Sequence, residues 1–177
     1  SAPSQLDMTK LLWMNGEHLK RRGSEEIAAG CRAAMERQGL WREGIDPEYF
    51  RAAVECMGER VKLFSDFGEQ AGFFFDENYP FDEKSVKKRL LKDGALGILR
   101  EELAALEALE PFTAQATDEA LHALAARLGT GMGELVHPVR VAVSGTGVGP
   151  GLFEMLATMG KERVVRRIRR ALALHGG

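Results

Sequence analysis

Apolar residues recur at helical spacing along nearly the whole chain, and the breaks between the recurrences fall on residues that start or stop helices. Ser24 suits an N-cap with Glu25 and Glu26 in the first turn, and Ile27, Cys31, Ala34 and Met35 then share a face until Gly39. Asp46-Pro47 pairs a cap with proline at the first helical position, Phe50, Val54 and Met57 follow on one side, and Gly58 ends or bends the run. Val61, Leu63, Phe64 and Phe67 lead towards Gly72. Asp82-Glu83 opens another helix that ends near Asp93-Gly94, and Leu96, Leu99, Leu103 and Leu106 continue the pattern to the break at Pro111. Thr117 is expected to cap the next helix, with Leu121, Leu124 and Leu128 inward, followed by a loop of Gly129, Gly131 and Gly133. Gly151 to Met159 and Lys161 to Leu174 complete the series, with Gly160 as the stop between them. Val139 to Val143 alone has the look of a strand, and one strand has nothing to pair with. The expected fold class is therefore all-α, with the best candidate boundary at the Asn78-Tyr79-Pro80 turn.

Composition narrows the function classes. With 177 residues, 45% of them hydrophobic, the chain can bury a core without staples, so disorder of the whole chain is excluded. No apolar run approaches the ~20 residues of a bilayer span, and no signal peptide is recognisable, so a cytoplasmic location is expected. The 2 cysteines, Cys31 and Cys56, have no CxxC partner and read as small core residues. The histidines His18, His122, His137 and His175 lack ligand spacing, so no metal site is expected; His137, followed by Pro138, reads as a loop or interface residue. No carboxylate or Ser-His-Asp constellation stands out as catalytic.

A net charge of -2 argues against a general polyanion sponge, but the charge is laid out in blocks. Lys84, Lys87, Lys88, Arg89, Lys92 and Arg100 face one acid, Asp93. Glu101, Glu102, Glu107, Glu110, Asp118 and Glu119 follow without a base. Lys161, Arg163, Arg166, Arg167, Arg169 and Arg170 then face Glu162. The arginines Arg166, Arg167, Arg169 and Arg170 read either as a solvated helix face or as contacts to nucleic-acid phosphates. Phe73, Phe74 and Phe75 read either as core or as base-stacking groups. The glycines Gly145, Gly147, Gly149 and Gly151 precede a helix but fit neither GxGxxG nor a P-loop, and Pro150 removes an amide donor. They read either as a turn or as backbone that a large polar ligand can approach closely.

Two segments carry a family resemblance. Leu11-Leu12-Trp13-Met14-Asn15-Gly16-Glu17-His18-Leu19 resembles the W-x-N-G motif that opens the anticodon-binding half of bacterial-type glutamyl-tRNA synthetases. His137-Pro138-Val139-Arg140 through Gly149-Pro150-Gly151-Leu152-Phe153-Glu154 to Gly160-Lys161-Glu162-Arg163 is similar to that family's C-terminal signature. The resemblance covers Leu6 to Leu174. It implies a class I aminoacyl-tRNA synthetase, a glutamate-tRNA ligase, represented by its C-terminal half. The family's ATP-binding signatures, of the HIGH and KMSKS type, belong to an upstream Rossmann domain and are not found here. Ser1-Ala2-Pro3 reads as the edge of an excised domain.

The resemblance further implies a helical cage of two small helical subdomains, placed at 5–82 and 83–177. It implies no cofactor in this segment, with ATP and magnesium in the catalytic domain, and as partners the tRNA-Glu anticodon stem-loop and that N-terminal catalytic domain. A monomer without membrane contact is expected. Carried over by motif, Arg140 lies at the anticodon loop, Gly149, Pro150, Gly151 and Leu152 form the turn and helix start beside unstacked anticodon bases, and Arg60 reads the third anticodon base. Such a site suits single-stranded RNA, whose splayed bases need close backbone approach and edge donors. Glu59 stands where the family often has proline, and Gly149 where a threonine is familiar. Trp13 and Asn15 are expected to fix the junction with the catalytic half. Read from the residues alone, Arg60 could also be an exposed arginine paired with a nearby glutamate. The competing functions are a helical protein-interaction module on the same scaffold without RNA binding, and a self-contained enzyme.

Overall fold

The computed structural model describes the backbone of residues 16–177 and the side chains of residues 25–177. Trp13, Asn15 and the side chain of His18 lie outside them. The described residues form nine α-helices and no strand, and the chain divides into two compact units, one ending at Asp76 and the other beginning at Glu77.

The first unit contains α1 (Gly16–Arg37), α2 (Pro47–Met57) and α3 (Phe64–Ala71), with 3₁₀ turns at Gly58–Arg60 and Gly72–Phe74. Ser24 lies inside α1, which begins earlier than the sequence suggested. Ile27, Cys31, Ala34 and Met35 form its buried stripe. The Asp46 carboxylate accepts from the Tyr49 amide at 2.9 Å and caps α2. Gly30 lets the Phe64 ring lie directly on α1, where a Cβ would overlap it. The phenylalanine triplet is core material: Phe74 is buried, Phe73 stacks on it at 4.4 Å, and Phe75 meets Phe50 at 5.3 Å and Tyr49 at 5.8 Å. Those rings are spent on packing and on the Tyr49 hydroxyl's bond to the Phe74 carbonyl.

The second unit begins with the segment 77–82, which the sequence reading assigned to the first subdomain. Its packing explains the placement. Tyr79 is fully buried and donates from its hydroxyl to the Ala142 carbonyl at 2.6 Å, while the Asp82 amide donates to the Gly145 carbonyl at 2.8 Å. The Asp82 carboxylate accepts from the Ser85 amide and hydroxyl and caps α4 (Glu83–Ser85), which runs on as a π-helical turn, Val86–Leu90. There follow α5 (Ala95–Glu107), α6 (Ala114–Leu128), α7 (Gly133–Ser144), α8 (Leu152–Met159) and α9 (Lys161–His175).

Helix α7 corrects two expectations. Val139 to Val143 is helical, and His137 and Pro138 lie in the same helix rather than in a loop. The strand-like run has a physical cause: α7 packs against α5, α9 and the π turn, so Val139, Val141, Ala142 and Val143 are all buried. A helix covered on every side shows no periodicity. Thr113, not Thr117, caps α6, accepting from the Ala116 amide at 3.1 Å; Thr117 is buried one turn further on.

Candidate nucleic-acid interface

Helix α7 ends at Gly145, whose φ of 78° turns the chain out of the helix into the loop 145–151. Hydrogen bonds hold that loop along its length. Ser144 Oγ donates to the Arg140 carbonyl at 2.7 Å and accepts from the Thr146 amide at 3.3 Å. The Gly147 amide donates to Ser85 Oγ at 3.1 Å, tying the loop to the start of the π turn. Arg140 then closes the far side, donating from Nη1 to the Pro150 carbonyl at 2.7 Å. A Cβ on Gly149 would stand 3.1 Å from that same nitrogen, so glycine leaves the guanidinium room to approach. Pro150 and Leu152 are buried, Gly151 is exposed, and at the tip Val148 is 73% exposed. The loop is thus a clamped, largely backbone surface with one outward apolar side chain, and a half-buried guanidinium held at its edge.

The electrostatics of this corner are positive. His137, one turn before Arg140 on α7, is held below its ordinary pKa by partial burial and by the charges of Arg89, Arg140 and Lys88, with Glu134 opposing them. Glu134 itself sits below the usual carboxylate range because Lys92 donates to both its oxygens, at 2.6 and 2.8 Å. Arg140, Gly149, Pro150, Gly151 and Leu152 are therefore brought together, beside Lys88, Arg89 and His137. Arg60 belongs to the first unit. It ends the 3₁₀ turn Gly58–Arg60, is exposed, and has no ion pair among the described residues. Buried Val61 follows it and anchors the turn.

Residues 26–172 match the family described as the anticodon binding domain. The chain belongs to that family. It is 40% identical over 168 residues to the glutamate–tRNA ligase of Thermus thermophilus, a match covering 94% of this chain and 35% of that protein. It is 34% identical over 170 residues to glutamate–tRNA ligase 1 of Caldanaerobacter subterraneus subsp. tengcongensis, covering 96% and 35%. Among solved structures it is similar to a glutamate tRNA ligase from Elizabethkingia meningosepticum in complex with its amino acid, with a TM-score of 0.76 and 26% identity over 92% of this chain and 32% of that one. The chain spans about a third of the length of these relatives.

In this anticodon-binding domain the second basic block is not an open cationic face. Arg167 is 0% exposed; its Nη1 donates to the Val143 carbonyl at 2.8 Å and its guanidinium lies 4.5 Å from the Tyr79 ring centre. Glu77 serves Arg163, Arg166 and Arg167 together. Arg169 pairs with Glu107 and Lys161 with Glu110. These partners lie 51 to 90 positions away, beyond the reach of a local charge count. The bond from the Gly147 amide to Ser85 and the tie of the Asp82 amide to the Gly145 carbonyl, which fix the loop's seat, escaped the sequence reading for the same reason. Lys88 and Arg89 were visible as part of a basic block, but nothing in the sequence joined that block to Arg140.

Proposed function

We propose that this domain holds the anticodon stem-loop of tRNA-Glu, with Arg140 and the loop Gly149-Pro150-Gly151-Leu152 against the unstacked anticodon bases. The observation that carries the reading is the bond from Arg140 to the Pro150 carbonyl: it fixes a planar donor group at the edge of a glycine-rich surface that bases can approach closely. Arg60, exposed on its turn, reads the third anticodon base. The longer protein to which such a domain belongs joins glutamate to tRNA at the expense of ATP, with ATP and magnesium bound in an N-terminal catalytic part, and acts as a monomer in the cytoplasm. No helix among the described residues is long and apolar enough to cross a membrane.

The interaction-module alternative expects the two basic blocks to lie on different faces or to be neutralised by the acidic stretch. Lys161 and Arg169 of α9 are paired with Glu110 and Glu107 of that stretch, but Lys87, Lys88 and Arg89 have no ion pair among the described residues, and this difference favours RNA. The test is fluorescence anisotropy of a labelled tRNA-Glu anticodon stem-loop, beside one changed only at the third anticodon base. Tighter binding of the cognate loop is expected, with the preference lost in Arg60→Gln and affinity lowered in Arg140→Ala. A base contact should contribute roughly 1–3 kcal/mol. Equal affinities for both loops in the unmodified protein, or an Arg140→Ala variant that binds normally, would refute the site assignment.

A further inference from the structure

Two helical segments of the second unit are rich in cations, and they differ in what those cations already do. On α9 the cations hold the fold together. Lys161 donates to Glu110 at 2.7 Å, Arg163 and Arg166 meet Glu77 at 3.1 and 3.2 Å, and Arg169 is bound to Glu107. Arg170 lies over the Tyr79 and Phe81 rings, 4.5 and 5.1 Å from their centres, and donates to the Tyr79 carbonyl at 3.3 Å. The open groove of about 520 Å³ on this side is lined by Glu107 and Glu162 as well as Lys161, Arg166 and Arg169, so it offers no field of one sign. A phosphate placed there would displace carboxylates from their partners, and the exchange would cancel most of the attraction.

The π turn Val86–Leu90 is different. Val86 and Leu90 are buried, and the three consecutive cations between them, Lys87, Lys88 and Arg89, have no ion pair among the described residues. Of the acids nearby, Asp82 caps α4 through Ser85, and Glu134 is bound by Lys92 and feels Arg89 only through its charge. Lys87 and Lys88 are exposed and Arg89 is half-buried. The turn is also continuous with the loop beside Arg140, because Ser85 accepts from the Gly147 amide and because Lys88 and Arg89 act on His137. A strand with a base at Arg140 therefore has cations waiting for its neighbouring phosphates.

We infer that the phosphate backbone of the bound RNA runs over the π turn at Lys87, Lys88 and Arg89, and not over the arginine-rich helix α9. This rests on the reading of Arg140 and its loop as the base-binding site, and it adds the direction in which the strand leaves that site. Phosphate neutralisation has its own signature, since each contact adds about 0.7 to the steepness with which log affinity falls against log salt for a single strand.

The experiment is a salt series of anticodon stem-loop binding with the full chain, comparing four variants whose thermal unfolding has first been checked. The paired substitution Lys87→Ala, Lys88→Ala should flatten the salt slope by about 1.4 while leaving the preference for the cognate loop intact. Arg166→Gln and Arg169→Gln should leave the slope unchanged. Arg140→Ala should lower the base preference. An unchanged slope in the lysine pair, or a flattening confined to Arg166→Gln and Arg169→Gln, overturns the inference while leaving the Arg140 reading intact. A flattened slope in the lysine pair with a silent Arg140→Ala supports the backbone track and removes the base-site reading instead. Absence of any stem-loop binding by the unmodified chain overturns both.

Discussion

Gly145 and Pro80 lie so close that a Cβ on Gly145 would run into the Pro80 carbonyl oxygen, and the φ of 78° at Gly145 independently disfavours any side chain. The contact locks the end of α7 to the segment that carries Tyr79, and it sets where the loop 145–151 begins. Gly145→Ala combines a left-handed conformation with a clash against backbone, which cannot swing aside. We expect it to lower unfolding stability by about 2 kcal/mol or more, read as a drop in the urea midpoint. Gly147→Ala, at the same loop but with the Ser85 hydroxyl 3.2 Å from the added carbon, should cost less.

Glu102 is 0% exposed on α5, and neither carboxylate oxygen has a hydrogen-bond partner among the described residues. Burial therefore holds its pKa well above the usual carboxylate range. The sign follows from linkage. Below the unfolded-state pKa of about 4.3 both states carry the proton and the group exacts no penalty. As pH rises, the unfolded chain ionises while the folded one does not, so stability falls until the folded pKa is passed. Glu102→Gln keeps the shape and removes the ionisation. Its melting temperature should exceed that of the unmodified protein at pH 7 to 8, and the gap should close on approach to about pH 4. An equal gap at all pH values would show that Glu102 is not held protonated.

Legibility in the sequence followed the range of the interactions. Asp46 and Asp82 were recognisable as caps because a cap acts within three residues. Gly39, Gly58 and Gly160, each with positive φ, were recognisable as stops for the same reason. Thr113 and Thr117 are four residues apart and chemically alike, so local reading could not choose between them; Thr117 turned out to be buried, bonded to the Ala114 carbonyl. Val139 to Val143 misled because enclosure by three neighbours erases the polar face that marks a helix. The motif that carries Arg140 was legible by resemblance, but its bond to Pro150, the support from Ser85 and the internal neutralisation of α9 depend on tertiary packing. A basic block in a sequence is a count of charges, and the fold decides which of them remain available.

Glu77 shows how far one distant acid can matter. Burial alone would raise its pKa, but hydrogen bonds from Arg166, Arg167 and Arg163 and the charge of Arg167 outweigh that and hold it below the ordinary range. A carboxylate with a lowered folded pKa contributes stability that is complete above its unfolded value and is lost as pH falls through the folded one. Glu77→Gln removes the carboxylate facing buried Arg167, so it should destabilise the protein at pH 7. The deficit relative to the unmodified chain should shrink as pH drops below about 4.3, and urea titrations at a few pH values would reveal it.

Arg140→Lys separates charge from geometry at the proposed base site. Lysine keeps the positive charge beside Lys88, Arg89 and His137, so the salt dependence of RNA binding should be nearly unchanged. It cannot, however, present a planar fork of donors while one nitrogen stays on the Pro150 carbonyl 2.7 Å away. Discrimination between the cognate anticodon loop and a single-base variant should therefore fall by roughly 5- to 150-fold, the equivalent of 1–3 kcal/mol. Parallel anisotropy titrations of the two stem-loops at fixed salt measure this directly. If Arg140→Lys retained full discrimination, charge alone would suffice at this position and base reading would have to come from the loop backbone.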